Sequence, residues 1–463
     1  MVKTTNASFD NTIASLGRMY REKSLSPVEY TKHVIEEIEC RRSLNAFVTV
    51  TPELALEAAA RSEERFMRGE AIGALDGIPI ALKDIIYTKG VRTTKGCDAY
   101  RDFVPDEDAF IVKQLKAAGY VGVGKANTCQ FAMGPMGDVS FGGPCRNPHD
   151  ETRYSGGSSS GSSSAVGAGI VPGAIGTDTG GSIRIPASLC GCVGLKPTFS
   201  LVSNEGIMPL SDCLDSAGPI TRTVRDNAIL LNGIAGYNRV DVYSACRPAE
   251  DYTRQIGGSV RGGMAVIDRR MFEEDVPQDV NRQLMEAVNA LSAAGCGIRE
   301  ISFPDTTAFR KAHQMLLVAG GHREHRDDVL HHKDTIYPQV LSRLLTGDMS
   351  SDEYIGYMLQ RNPFRSLLLD LMNGADVLAL PSTPIAAVRI GEENVIVGGK
   401  SLPVITAYPR FTWIANIAGF PAISVPAGVT DEGMPVGFSL IARPFDEANL
   451  YRYAAVIEES FAG

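Results

Sequence analysis

SGGSSSGSSSAVGAGIVPGAIGTDTGGSIRIP, Ser155 to Pro186, is the stretch on which the reading of this chain turns. Three readings compete for it. Its Gly and Ser content matches a flexible linker, but Ala165, Val166, Ile170, Val171 and Ile175 give the segment something to bury, which a linker does not need. A phosphate-cradling glycine loop would exploit the same small residues. Against it, the stretch has no G-x-x-x-x-G-K-[ST] pattern and no basic residue before Arg184. The third reading is catalytic. Gly180-Gly181-Ser182 offers consecutive backbone N–H groups around a serine hydroxyl, with no Cβ in the way, as an oxyanion site requires. Gly156-Gly157-Ser158 offers a second hydroxyl on an unhindered backbone. A serine is a weak nucleophile until a base takes its proton. The nearest histidine, His149, lies in the turn-like Asn147-Pro148-His149-Asp150. The base must come from farther away, and a lysine is the candidate.

With those residues in view, the chain resembles the amidase signature family. Gly156-Gly157-Ser158-Ser159 followed by Gly176-Thr177-Asp178-Thr179-Gly180-Gly181-Ser182-Ile183-Arg184 has the order and spacing of that signature. Gly77-Ile78-Pro79-Ile80-Ala81-Leu82-Lys83-Asp84 is similar to the segment carrying the family's lysine. Further matches run through Gly191 to Thr198, Asp215 to Ile220, Asp376 to Pro384 and Gly419 to Gly428. The resemblance covers nearly the whole chain and is weakest between Tyr237 and Met372.

The resemblance implies an α/β fold: one large α/β/α domain whose central mixed β-sheet carries helices on both faces. It makes residues 1–463 a single domain, with 70–235 as signature core, 237–372 as a divergent cap that shapes the substrate pocket, and 373–463 completing the sheet. It also implies a mechanism. Ser182 would be the nucleophile, Ser158 (after a cis peptide from Gly157) the bridging hydroxyl and Lys83 the base, while the N–H groups of Thr179, Gly180, Gly181 and Ser182 hold the oxyanion. Asp178 and Arg184 flank the elbow as braces. The segment Lys125 to Gly134 would run along the substrate cleft, which makes Gln130 and Met133 the expected substrate contacts. No metal and no organic cofactor is expected.

Two positions bear on substrate. Relatives that serve as the glutaminase subunit of tRNA-dependent amidotransferases carry an acidic pair where this chain has Cys129-Gln130. A malonamide-type relative grips a carboxylate with an arginine where this chain has Ile185. Both departures favour a stand-alone amidase acting on a small, apolar or aryl amide, with esters and carbamates inside the same chemistry. The alternative is the glutaminase subunit of an amidotransferase. A non-enzymatic binding protein on the same fold is opposed by the intact Lys83, Ser158 and Ser182.

The whole chain sets outer bounds. At 463 residues there is room for a large core. The formal net charge of −9 disfavours nucleic acid, whose binding needs clustered Lys and Arg. Nine scattered cysteines read as thiols in a reducing compartment rather than a disulfide framework, and Cys190-Gly191-Cys192, flanked by apolar residues, reads as buried thiols. No apolar run reaches the roughly 18 residues a membrane helix needs, and no signal architecture opens the chain. A cytoplasmic enzyme is the resulting expectation. Its partner is a small-molecule amide, without nucleic acid or membrane, and a homodimer stays open.

Local signals fill in the elements. Ser26-Pro27-Val28-Glu29 starts a helix to about Cys40, with Glu29 closing a capping box. Thr51-Pro52-Glu53 starts another through Arg61, and Asp106 to Ala118 reads as a third. Ile78, Ile80 and Leu82 alternate as in a strand that ends at Lys83, where the competing reading is a surface charge paired with Asp84. Gly119-x4-Gly124-Lys125 mimics a nucleotide loop, but Ala126 lacks the hydroxyl that would hold magnesium and the first glycine follows a helix. Met264 to Ile267 reads as a strand and Asn281 to Ala294 as a helix. His322, His325, His331 and His332 invite a metal reading, yet their spacing fits no fixed ligand pattern and charged residues interleave them. Val377 to Leu380, Ile423 to Val425 and Phe438 to Ile441 read as buried strands of one sheet. Trp413 reads as core.

Overall fold

Short apolar runs become strands here because both of their faces can be covered. In chain order the strands are β1 (Phe47–Val50), β2 (Pro79–Lys83), β3 (Val121–Ala126), β4 (Gly173–Thr177), β5 (Val193–Lys196), β6 (Ala217–Thr221), β7 (Met264–Ile267), β8 (Gly297–Glu300), β9 (Val377–Pro381), β10 (Asn394–Val397), β11 (Lys400–Pro403), β12 (Ala422–Val429) and β13 (Pro435–Ala442). The structure, a computed structural model, describes residues 11–461. Eleven of these strands form one sheet in the order β1-β3-β2-β4-β6-β5-β12-β13-β9-β7-β8, and β10 and β11 pair as a separate hairpin. Neighbours run parallel in β3-β2-β4 and in β9-β7-β8 and antiparallel elsewhere, so the sheet is mixed. Helices flank it. Glu447–Phe461 packs on β12 and β13, Val224–Ile234 on β6, and Arg184–Leu189 on β5, β12 and β13. β2, β4, β9 and β13 are buried along their whole length.

Several expected elements shift at their ends. Ser26 does cap the helix Pro27–Cys40, taking the N–H groups of Val28 and Glu29 at 3.1 Å each, but no bond returns from the Glu29 carboxylate. The helix from Pro52 continues past Arg61 to Arg68 and stops at Gly69, whose φ of +73° is left-handed. The helix expected from Asp106 begins at Phe110, because the N–H of Ala109 is held by Tyr87 O and that of Phe110 by Glu205 O. Residues 237–372 divide. β7, β8 and the helix Gln278–Ala293 complete the far edge of the central sheet, whereas the helices Thr307–Glu324 and Pro338–Thr346 line the pocket.

The register fixes the site. β2 lies between β3 and β4 with Leu82 opposite Ile175, which brings Lys83 level with Gly176-Thr177 at the end of β4. The helix Ser160–Gly167, which follows Ser158, crosses the chain at Asn127 so closely that Gly161 is required there. A Cβ at 161 would stand 2.1 Å from Ala46 O and 2.3 Å from Asn127 N. Neither neighbour is a flexible side-chain end, so strain must go into the backbone. Gly161→Ala should lower unfolding stability by about 1–3 kcal/mol in urea titration, as overpacking does. Gly356→Ala, on a helix with nothing within 4 Å, should leave stability unchanged or slightly raised.

Candidate active site

Lys83 ends β2 fully buried. Its Nζ lies 2.7 Å from Ser158 Oγ and 2.8 Å from Thr177 Oγ1. Burial pulls the amine down to about 7, because the charged form loses its hydration. The thiolate form of Cys129 would favour the charged amine, but burial pushes that thiol up to about 12, so it is neutral at neutral pH and does not oppose the shift. Asp84 does not pair with Lys83. Its carboxylate turns to the N–H and hydroxyl of Thr94. The surface ion pair considered for Lys83 is thereby replaced by a buried amine between two hydroxyls.

Ser158 follows a cis peptide from Gly157. Its carbonyl accepts the Cys129 N–H at 3.2 Å and the Thr128 hydroxyl at 3.0 Å. The next N–H, from Ser159, is held at 3.1 Å by the carbonyl of Ser182. This bond ties the two serine-bearing segments together. Ser182 is half-buried and lines a cavity of about 340 Å³, together with Met133, Ile185, Leu317, Val318 and Trp413. A cavity of similar size, about 360 Å³, lies between the helix Pro52–Arg68 and β3. It touches none of Lys83, Ser158 and Ser182, so the chemistry belongs to the former.

The elbow from Asp178 to Ser182 is braced peptide by peptide. The Asp178 carboxylate takes Arg184 Nε and Nη2 at 3.0 Å each and Asn416 Nδ2 at 2.8 Å. Burial alone would raise that carboxyl, but the guanidinium holds it well below the ordinary carboxylate range. The Asp178 carbonyl accepts from Asn416 and Ser216, that of Thr179 from His313, that of Gly180 from Thr412, and that of Gly181 from the Ile185 N–H. Of the four expected oxyanion donors, Thr179, Gly180 and Ser182 keep N–H groups that form no hydrogen bond among the described residues. The fourth is corrected. The Gly181 N–H is donated to Asp178 Oδ1 at 2.8 Å, so it is spent on holding the turn. Asp215, pushed up to about 6 by burial, accepts the Thr179 hydroxyl at 2.5 Å from behind.

The two expected substrate contacts part company. Met133 lines the cavity. Gln130 does not: its Nε2 donates to Thr335 O at 2.8 Å and its Oε1 accepts the Tyr337 N–H at 2.9 Å, so both ends of the amide latch the helical cap to the core. Sequence reasoning missed two arginines. Arg310 and Arg343 line the cavity, and neither forms an ion pair among the described residues. Arg310 donates to Thr406 O at 3.4 Å. Trp413 proves to be both core and pocket wall. The cap histidines go separate ways: His322 meets Leu344 O and His325 pairs with Asp328. No group of three or more His, Cys, Asp or Glu among the described residues could hold a metal. All nine cysteines are free thiols, Cys190 and Cys192 among the buried ones. No helix among the described residues is long and apolar enough to cross a membrane.

Comparison with known proteins agrees with this geometry. Residues 29–451 match the family model described as Amidase. The A-type subunit of the Glutamyl-tRNA(Gln) amidotransferase from Geobacter sp. (strain M21) is 38% identical, covering 97% of each chain. Among solved structures, the peptide amidase of Stenotrophomonas maltophilia superposes with a TM-score of 0.85 at 29% identity over 98% of this chain and 97% of that one. The A-type subunit of the Glutamyl-tRNA(Gln) amidotransferase of Thermotoga maritima superposes with a TM-score of 0.81 at 32% identity over 97% and 94%. The chain belongs to the amidase signature family and is an enzyme of that family.

The buried Asp178–Arg184 pair generates a prediction of its own. Removing one partner leaves the other charged and uncompensated in the interior. Arg184→Leu should therefore cost about 3–5 kcal/mol of stability, measurable as a lowered thermal midpoint.

Proposed function

We propose that this protein cleaves a C–N amide bond by acyl transfer to Ser182, with Ser158 as the bridging hydroxyl and Lys83 as the base. The observation that carries the reading is the fully buried amine of Lys83 lying 2.7 Å from Ser158 Oγ, with Ser182 lining the adjacent cavity. At the ordinary lysine value of about 10.4, only about one amine in 2,500 would be neutral at pH 7. At about 7, half of them are. In the first step Ser182 Oγ bonds to the substrate carbonyl carbon and its proton passes to Ser158, whose own proton passes to Lys83. The N–H groups of Thr179, Gly180 and Ser182 receive the oxyanion. The relay then runs backwards and delivers the proton to the amide nitrogen, the C–N bond breaks and the amine leaves. A water molecule repeats the sequence on the Ser182 ester and frees the acid.

For the substrate, we infer a primary carboxamide that also carries a carboxylate, with glutamine as the representative, so that the released amine is ammonia. Two features support this. Arg310 and Arg343 reach the cavity, and neither forms an ion pair among the described residues, although Asp138 lies near enough to Arg343 to favour its charge, and the curated relatives are named as the A-type subunit of a Glutamyl-tRNA(Gln) amidotransferase. In that role the protein would work beside other polypeptides of the complex. A second reading, a stand-alone amidase for apolar or aryl amides, draws on the buried Cys129-Gln130 pair and on the apolar wall of Met133, Ile185 and Trp413. Ammonia release from glutamine, set against release of aniline from an acyl anilide, separates the two.

Ser182→Ala should abolish hydrolysis while circular dichroism stays unchanged, and full retained turnover would end the assignment. The active form has Lys83 deprotonated, so kcat/KM should rise with pH through about 7 and be lost as pH falls below it. Lys83→Ala should remove that limb along with several orders of magnitude of rate. Arg343→Met should raise KM for glutamine about ten- to a hundredfold, the worth of a charge-assisted hydrogen bond, and leave KM for hexanamide unchanged.

A further inference from the structure

A peptide unit is planar, so its C=O and N–H point in opposite directions. Holding the carbonyl from one side aims the N–H at the other. In the elbow, each N–H without a partner belongs to a peptide whose carbonyl is held from outside: that of Thr179 through Asn416 and Ser216, that of Ser182 through Ile185, and that of Gly180 through His313. The first two sets of holders come from the central core. His313 comes from the helix Thr307–Glu324, which covers the pocket.

His313 is built for this contact. It is 4% exposed, and its Nε2 stands 3.0 Å from Thr179 O. A Cβ on Gly180 would lie 2.9 Å from His313 Cε1, so the ring rests directly against that residue. Trp413 backs the imidazole at 6.4 Å between ring centroids. Burial draws the ring down to about 4, so it is neutral at physiological pH and carries one proton. A carbonyl only accepts, so that proton sits on Nε2. From this geometry we propose that His313 is a positioning residue: its Nε2–H holds the Thr179 carbonyl and thereby aims the Gly180 N–H at the oxyanion. The helical cap is then part of the catalytic elbow as well as a wall of the pocket. This inference rests on the acyl-transfer reading above.

Phosphonylation of Ser182 by a fluorophosphonate tests it, because the phosphonyl oxygen occupies the oxyanion position. In the full-length protein, His313→Phe keeps a ring of similar size against Trp413 but donates nothing. Its limiting phosphonylation rate should fall about ten- to a hundredfold, short of the full effect of deleting a donor, with the half-saturating probe concentration unchanged. His313→Gln, whose amide N–H can reach the same carbonyl, should recover most of the rate. Should His313→Phe fail to fold, His313→Leu is read in its place. A wild-type rate in the apolar variant overturns the proposal. So does a slow His313→Gln, since the donated bond would then not be what matters. If the wild-type protein is labelled at Ser182 while the variants behave identically, only the role of His313 falls. If the wild-type protein is not labelled there, the acyl-transfer reading falls and takes this inference with it.

Discussion

An amine removed from water and given no counter-charge is the condition that shapes this molecule. Lys83 could easily have been an ordinary ammonium, since Asp84 follows it in sequence and Asp178 and Asp215 lie close enough to favour its charged form. Each of these carboxylates is engaged elsewhere. Asp84 turns to Thr94, Asp178 to Arg184 and Asn416, and Asp215 to Thr179 and the N–H groups of Leu210 and Ser211. What remains around Nζ are hydroxyls, from Ser158 and Thr177. Burial therefore outweighs the remaining attraction, and the amine stays basic enough to accept a proton yet neutral enough to do so near pH 7.

Much of this could be read in the sequence, and the boundary of what could be read is physical. Ser158, Ser182 and Lys83 sit in short segments whose glycines and spacing carry their own signature. The strand β9, the first half of β12 and β13 announce themselves as mostly apolar runs because both of their faces are buried there. The residues that could not be read act across long sequence separations. Asn416 and Thr412 reach back to Asp178 and Gly180, and His313 reaches Thr179. Nothing local distinguishes them from other core residues. Gln130 lies in a segment with a recognisable pattern, yet its side chain turns away from the pocket toward Thr335 and Tyr337. Arg310 and Arg343 sit on cap helices whose pattern departs from the family, so position alone said nothing about their direction.

The cap and the elbow divide the work. The elbow is built from the sheet and its adjoining helices, and the peptide amidase and amidotransferase chains that superpose on this one share that frame. The helices Thr307–Glu324 and Pro338–Thr346 line the cavity, Arg310 and Arg343 among their lining residues. The same helices are latched to the core by Gln130 and by the His325–Asp328–Tyr100 chain of hydrogen bonds. The cap can thus vary where it faces the cavity, provided that His313 keeps its contact with the Thr179 carbonyl.

The sheet order has a consequence for biosynthesis. β12 inserts between β5 and β13, and the helix Trp413–Ala418 just before it brings Asn416 to the Asp178 turn. A nascent polypeptide that has released everything through the serine elbow still lacks those braces. Its elbow is completed only when the C-terminal segment takes its place in the middle of the sheet.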